Sequence, residues 1–273
     1  MPELPEVETV RQTLKLRILN QTIEEVGVRA SRLIQPLSAQ EFATILVGQI
    51  LRDIDRRGKY LIFKLSQNDL VVHLRMEGRF FIKPKSADID KHEHVIFYFT
   101  NNTTLRFHDV RKFGTFEIMP KGQGTHAKGI RKLGPEPGDP SLTADYLKAK
   151  LQSSLRPVKS LLLDQTIIAG LGNIYVDEVL YEARIHPTRP GKTLQESDFD
   201  NLCKISQRII TEAVKLGGTT IRSYVSSLGV TGRFQNQLKV HTLVGEPCQT
   251  CQTPIVKIRV GGRGTYLCPT CQK

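Results

Sequence analysis

Two cysteine pairs sit at the end of the chain. "CQTC" (Cys248, Cys251) and "CPTC" (Cys268, Cys271) are separated by sixteen residues, and no other feature limits the local fold as tightly. Each pair makes a tight knuckle presenting two thiolates, and four sulfurs complete the tetrahedron that zinc takes in a zinc ribbon. A pair of disulfides is the alternative, which a reducing compartment disfavours. With all four positions filled by protein, one zinc ion here holds structure and does no chemistry. The fifth cysteine, Cys203, lies in an apolar helical pattern and reads as a small core residue.

A ribbon of that size cannot account for 273 residues, a length that allows two further domains with separate cores. Lys and Arg number 39 against 27 Asp and Glu, a net charge of +12. A chain so charged meets polyanions, nucleic acid ahead of an anionic membrane surface. The longest apolar stretch, "SLLLDQTIIAGLG", is broken by Asp164, so no membrane span is expected. The first ten residues are acidic and lack an apolar run, so no secretory leader is expected and the protein should be cytoplasmic.

Residues 1–133 read as a first helix followed by strands. Val7, Val10, Leu14 and Ile18 share one helical face. The β-branched and aromatic runs "TIEEVGV", "YLIFKL", "LVVHLRM", "RFFIKP", "HVIFYF", "TLRFHDV" and "TFEIM" follow without helical crossovers, which predicts an antiparallel β-sandwich or barrel. The Pro- and Gly-rich "LGPEPGDPS" supplies a linker over 134–141. From 142 the period becomes helical, in "LTADYLKAKLQ", "VKSLLLDQ", "GNIYVDEVLYEA" and a long run that stops at Gly217–Gly218. A hydroxyl- and Gly-rich loop follows within 142–245, and the zinc ribbon occupies 246–273. The fold class is thus α+β and multidomain.

Six stretches carry chemistry beyond structure. "MPELPEVETV" places Pro2 next to Glu3 and Glu6; with Met1 removed, the chain would begin with a secondary amine flanked by carboxylates. An α-amino group has a pKa near ~8, so a useful fraction is nucleophilic at neutral pH. The alternative is a rigid helix start, which Pro and Glu also suit. "RRGK" (Arg56 to Lys59) gathers cations at a turn, "HLRMEG" (His73 to Gly78) ends an apolar strand, and "DVRKFG" (Asp109 to Gly114) sets Arg111 and Lys112 beside Phe113. An Arg beside an aromatic on a loop tip is what a duplex-penetrating wedge requires. Structural readings remain open for each: a solvated turn, a satisfied strand-end histidine, an ordinary core Met76. "GLGNIYVDE" lacks the strand and third glycine of a dinucleotide loop, and reads as a turn into a helix whose free N–H groups and Asn173 amide suit a phosphate. "GGRGT" puts Arg263 on a Gly-flanked hairpin tip.

Together these motifs resemble the formamidopyrimidine-DNA glycosylase family of bacterial base-excision repair. The resemblance rests on "MPELPEVE", "RRGKYL", "HLRMEG", "KHEH", "DVRKFG", "LGPEP", "QTIIAGLGNIYVDE", "IHP", "LGGTTIR" and the terminal cysteine motif around "GGRGT", in that order along the whole chain. It implies an N-terminal β-sandwich, a helical domain with a helix–two-turns–helix motif, and a zinc finger. It implies a monomeric DNA glycosylase and AP lyase acting on damaged double-stranded DNA, with no membrane partner. The nearest related branch, endonuclease VIII-like, prefers oxidised pyrimidines; "DVRKFG" and "PELPEVE" favour the first. A non-catalytic nucleic-acid-binding zinc protein would explain the charge and the ribbon, and would have no use for Pro2 beside Glu3.

By the same resemblance Pro2 is the nucleophile and Glu3 the general acid. Lys59 assists elimination and holds a phosphate, and Arg263 grips phosphates for the second elimination. Met76, Arg111 and Phe113 fill the void left by the flipped nucleotide, with Arg111 facing the orphaned cytosine. His73, His92, Lys159 and Asn173 match phosphate-contacting or site-lining positions, and Ile221, Arg222, Ser223 and Tyr224 a lesion-binding loop. Two departures stand out. His241 and Thr242 replace the "YG" common before the ribbon, and "LQSSLRP" (Leu151 to Pro157) is poor in lysine.

Overall fold

The structure, a computed structural model, describes residues 1–219 and 232–273. The chain divides into two compact units, Met1–Arg131 with Gly217–Gly232, and Lys132–Leu216 with Arg233–Lys273.

In the first unit, helix α1 (Leu4–Ile18) precedes β1 (Ile23–Val28), helix α2 (Ala39–Leu46), and seven further strands. These are β2 (Leu51–Arg57), β3 (Tyr60–Leu65), β4 (Asn68–His73), β5 (Arg79–Pro84), β6 (Glu93–Phe99), β7 (Thr103–His108) and β8 (Thr115–Pro120). They form two four-stranded antiparallel sheets, ordered β1-β6-β7-β5 and β2-β3-β4-β8. Inward residues of both sheets, among them Ile54, Phe63, Val72, Phe80, Phe107 and Phe116, make one apolar core, so the unit is a β-sandwich. Val7, Val10, Leu14 and Ile18 of α1 are buried in the same core, as their spacing requires. Two elements depart from the sequence expectation. Strand β2 reads "LRDIDRR", in which a bulge between Leu51 and Asp53 breaks the apolar alternation and leaves only Leu51 and Ile54 inward. Helix α2 is begun by a capping box, in which Ser38 accepts from the Glu41 N–H and the Glu41 carboxylate accepts from the Ser38 N–H.

A buried arginine fixes the connection from β5 to β6. Arg106 of β7 is fully enclosed, and all five of its N–H groups are used. Nε donates to Thr104 Oγ1, Nη1 to the Asp88 carbonyl and to Glu93 Oε2, and Nη2 to the Pro84 and Ala87 carbonyls. Lys83 stands 2.6 Å from the other Glu93 oxygen. The segment that carries His92 is thereby clamped to the sheet beneath it.

The second unit is helical, with a terminal hairpin. It contains α3 (Ala144–Leu151), α4 (Val158–Leu162), α5 (Asn173–Glu182), α6 (Glu196–Lys215), and the hairpin of β9 (Val256–Val260) and β10 (Arg263–Leu267). The segment read as a linker is anchored here: the Gly134 N–H donates to the Gln165 carbonyl, and the Ala169 N–H to that of Pro135. A Cβ on Gly134 would lie 2.4 Å from the Ile167 carbonyl oxygen, so only glycine fits. Tyr181 of α5, Val240, Ile255 and the buried Cys248 and Cys268 form a small separate core around the cysteines.

Arg106→Ala should cost about 3–5 kcal/mol of stability, because it leaves the enclosed Glu93 and four carbonyl or hydroxyl oxygens without their donor. Equilibrium denaturant unfolding checks this, and a loss under about 1 kcal/mol would show that the clamp is dispensable.

Candidate active site and nucleic-acid interface

The amino terminus is folded into the first unit. Pro2 is buried, and Glu3 is 3 % exposed as the N-cap residue of α1. Pro5 in the first turn suits a helix start, where its missing N–H costs nothing. The Glu6 carboxylate accepts from the Glu3 N–H at 2.8 Å and, through its other oxygen, from the N–H (2.7 Å) and hydroxyl (3.0 Å) of Thr219. The terminal amine, carried by Met1, is held below its ordinary pKa chiefly by burial. Lys59 pushes in the same direction, while Glu3, Glu6 and Glu77 oppose it.

Lys59 occupies the turn between β2 and β3, after Gly58 at φ +56, and is 4 % exposed, so the turn is not a solvated one. Arg56 holds that turn in place. It donates to the Gly58 carbonyl at 2.9 Å and to Glu8 of α1 at 3.0 Å. Burial works against ionisation of Glu8, yet hydrogen bonds from Arg11, Gln12 and Arg56 keep its carboxyl below the usual range. The first helix and the Lys59 turn are thus tied by charge-assisted bonds.

Three loops of the same unit carry the expected wedge. His73 ends β4 opposite Thr115 of β8, so the loops after β4 and before β8 leave one end of the sheet. The buried His73 ring accepts from the Arg75 N–H through Nδ1 at 2.9 Å and meets Tyr60 edge-on at 4.3 Å. Burial, with Arg75 and Lys59 nearby, pushes its pKa down to about 3. The ring is therefore neutral, with its proton on Nε2. Met76 is 39 % and Phe113 40 % exposed, so neither is a core residue. The Arg111 guanidinium lies 4.6 Å from the centre of the Phe113 ring, and that of Arg32 5.7 Å.

Asp109 organises this tip. Its buried carboxylate accepts from the N–H groups of Arg111, Phe113 and Gly114 at 2.8–3.1 Å, which sustains Lys112 at φ +54. Gly114 is required because a Cβ would lie 2.5 Å from the Phe107 ring. The Asp109 N–H donates to the His92 carbonyl at 3.0 Å, joining the loop before β6 to the wedge loop. His73, Met76, His92, Arg111 and Phe113 are thus carried by three neighbouring loops. Asp109 itself was not singled out in the sequence, although an Asp ahead of a tight turn is a recognised signal.

The second unit corrects one expectation. Lys159 does not face solvent: it is fully buried, and its ammonium donates to Asp177 Oδ1 (2.7 Å), Thr265 Oγ1 (2.8 Å) and the Gly264 carbonyl (3.1 Å). An ammonium has three N–H donors, and all are spent inside the protein. Asn173, the first residue of α5, gives one of its two Nδ2 hydrogens to the Gly264 carbonyl at 2.9 Å, which ties its side chain to the hairpin. Arg263 is exposed at the hairpin tip as expected, where Gly261 and Gly262 both have positive φ. It lines an open cleft with Arg156, Ser160 and Asp164. Arg156 was missed because the segment around it drew notice only for lacking lysine.

The "VDE" of α5 proves structural. Glu178, whose pKa burial raises, accepts from the N–H groups of Lys239, Val240 and His241. His241 Nδ1 lies 2.8 Å from Asp177 Oδ2, and its ring packs on Tyr266. His241 is thus built into the base of the finger.

The four cysteine sulfurs lie within 4.8 Å of one another, with Cys248–Cys271 at 3.9 Å and Cys251–Cys268 at 3.4 Å. Zinc bonded to sulfur at about 2.3 Å in a tetrahedron spaces its ligands about 3.8 Å apart, so this donor set fits one structural zinc ion. All five cysteines are free of disulfides, and Cys203 is only partly buried. The expected lesion-binding residues Ile221, Arg222, Ser223 and Tyr224 lie outside the described residues.

Comparison with known proteins agrees along the chain. The formamidopyrimidine-DNA glycosylase N-terminal domain matches residues 1–116, the formamidopyrimidine-DNA glycosylase H2TH domain residues 133–225, and the zinc finger found in FPG and IleRS residues 245–273. The formamidopyrimidine-DNA glycosylase of Listeria innocua is 45 % identical over 273 residues, covering 100 % of both chains, and that of Enterococcus faecalis is 47 % identical, covering 100 % of this chain and 98 % of its own. Among solved structures, Lactococcus lactis Fpg in complex with DNA containing an abasic site superposes with a TM-score of 0.93 at 42 % identity, over 99 % of each chain. The wild-type form of that protein in complex with DNA containing N7-benzyl-Fapy-dG gives the same score and identity over 100 % of each. Matched over its full length at this level, the chain belongs to the formamidopyrimidine-DNA glycosylase family.

Proposed function

We propose that this protein removes oxidised purines from double-stranded DNA, chiefly 8-oxoguanine opposite cytosine and ring-opened formamidopyrimidines, and then cleaves the strand as an AP lyase. The observation that carries the reading is the placing of Pro2, buried next to the enclosed Glu3 and Glu6 in the unit that also encloses Lys59. The working protein is a cytoplasmic monomer, associated with the nucleoid through its DNA binding. Among the described residues no helix is long and apolar enough to cross a membrane. Its working parts are a catalytic sandwich (1–133), a linker (134–141), a helical domain with the lesion loop (142–245), and a zinc finger (246–273).

Once Met1 is removed, the Pro2 nitrogen attacks C1′ of the damaged nucleoside. The bond from C1′ to the base breaks, and the base leaves with a proton. Glu3 donates a proton to O4′ as the sugar ring opens, and the amine loses its own, leaving an iminium ion. A secondary amine has no second N–H to shed, so the positive charge persists as an electron sink. Loss of a C2′ proton expels the 3′ phosphate with help from Lys59. Loss of the C4′ proton then expels the 5′ phosphate, with Arg263 holding it. Hydrolysis frees Pro2 and leaves a one-nucleotide gap with phosphates at both ends.

His73 and His92 contact the backbone, and Ile221 to Tyr224 surround the lesion. Met76 and Phe113 hold the stack open where the nucleotide has left, and the forked donors of Arg111 meet the acceptors on the pairing edge of cytosine. The zinc-bound finger positions Arg263 and takes no part in the bond changes.

Borohydride reduction of the iminium should trap a covalent adduct between the mature protein and lesion DNA. Pro2→Gly, or retention of Met1, should abolish or severely weaken base excision while DNA affinity stays nearly intact, since phosphate contacts supply binding. Full activity in protein shown by mass to keep Met1 would defeat the assignment.

Arg111→Ala should lose about 1–3 kcal/mol of discrimination between lesion:C and lesion:A pairs, the worth of a good base contact. Phe113→Ala should weaken excision opposite both bases alike. Single-turnover excision at one fixed salt concentration separates them, and an unchanged C-to-A ratio in Arg111→Ala together with a shifted one in Phe113→Ala would reverse the two roles.

Chelating zinc, or Cys268→Ser, should reduce DNA binding and loosen the ribbon without unfolding the sandwich, because a ribbon this small needs its metal to fold. Active protein with a metal content near zero would refute the site.

A further inference from the structure

Arg263 owes its position to a chain of buried polar groups that ends on its own backbone. The Thr265 hydroxyl donates to the Arg263 carbonyl at 3.1 Å and accepts from the Lys159 ammonium at 2.8 Å. Lys159 is paired in turn with Asp177 at 2.7 Å, both side chains being fully enclosed. The next carbonyl, that of Gly264, receives two donors at once, Lys159 Nζ and Asn173 Nδ2. On the other side of Arg263, a Cβ on Gly261 would lie 2.7 Å from Ser160 Oγ, so the tip passes tightly against α4. The Arg263 guanidinium has no partner among the described residues, so its backbone is fixed while its head is left for a ligand.

A two-stranded hairpin is marginally stable by itself, and an arginine on its tip would wander by more than a reacting phosphate tolerates. A buried ion pair is weak evidence for stability, since apolar replacement is often neutral, and fixing geometry is the use that remains. We infer that Lys159 and Thr265 are positioning residues for Arg263, holding its guanidinium in register for the second elimination rather than contacting DNA. This rests on the assignment of Arg263 to that step.

The test uses full-length zinc-loaded protein on a duplex with one abasic site. It reads the ratio of product cleaved once, by β-elimination, to product cleaved twice. Thr265→Val keeps the volume and removes the hydroxyl; it should slow the second elimination at least about tenfold relative to the first. Zinc content and borohydride trapping should stay as in the parent. Thr265→Ser, which keeps the hydroxyl, should restore the parental ratio. Lys159→Met should shift the ratio as Thr265→Val does. If it fails to fold around the uncompensated Asp177, the Thr265 pair still decides. A parental ratio in Thr265→Val, equal loss of both eliminations, loss of zinc, or a Thr265→Ser as impaired as the valine variant would each overturn the proposal. Arg263→Ala is the control: a second elimination that survives it overturns the role of Arg263 and this inference together. Loss in Arg263→Ala but not in Thr265→Val overturns the inference alone.

Discussion

Glu6 lies in the first turn of α1 with its carboxylate enclosed, one oxygen taking the Glu3 N–H and the other the N–H and hydroxyl of Thr219. Hydrogen bonds to a charged acceptor are worth about 1.5–3 kcal/mol each, and a carboxylate left buried without them costs more than it returns. The first residues therefore have one place to go. Gly218 answers the same demand, since a Cβ there would stand 2.6 Å from the Glu6 oxygen. Everything chemical at the terminus depends on this arrangement: the burial of Pro2, the cap formed by Glu3, and the closeness of Lys59, whose turn is tied to the same helix by Arg56 and Glu8.

The pattern recurs through both units. Asp109 gathers three N–H groups under the wedge, Glu93 receives Arg106 and Lys83, Asp177 receives Lys159 and His241, and Glu178 caps three successive amides. The acids of this basic chain are thus disproportionately interior fittings. Cations such as Arg111 and Arg263 are left outward, facing solvent. The net charge of +12 understates the asymmetry of the surface, because several of the negative charges it counts never reach solvent.

How much of this a sequence discloses depends on the range of the physics involved. The core face of α1 and most strands were legible, because alternation and helical spacing are local. The Gly217–Gly218 stop was legible too, since both residues take positive φ. Strand β2 was missed because a bulge spoils its period, and α2 because its "SAQE" capping box was not weighed. At the candidate site, the cysteines were legible from residue type and spacing, whereas Pro2, Glu3, Arg111 and Phe113 left structural readings open until the family resemblance gave them roles. Lys159 was not legible: its burial is decided by a hairpin more than a hundred positions away, and nothing local distinguishes a lysine that will meet a phosphate from one that will meet Asp177. His241 drew attention as a departure from the family pattern, but its tie to Asp177 is visible only in three dimensions.

If His73 meets the DNA backbone as proposed, its protonation has a consequence for how DNA is held. Its Nδ1 is occupied by the Arg75 amide and its surroundings keep the ring uncharged, so a phosphate that meets it meets a dipole. Affinity gained from cations comes with released counterions and fades as salt rises. A neutral N–H donor releases none. Such a contact would keep its strength across ionic conditions that weaken arginine contacts, and a count of phosphate neighbours would then exceed the number of ions the complex sets free.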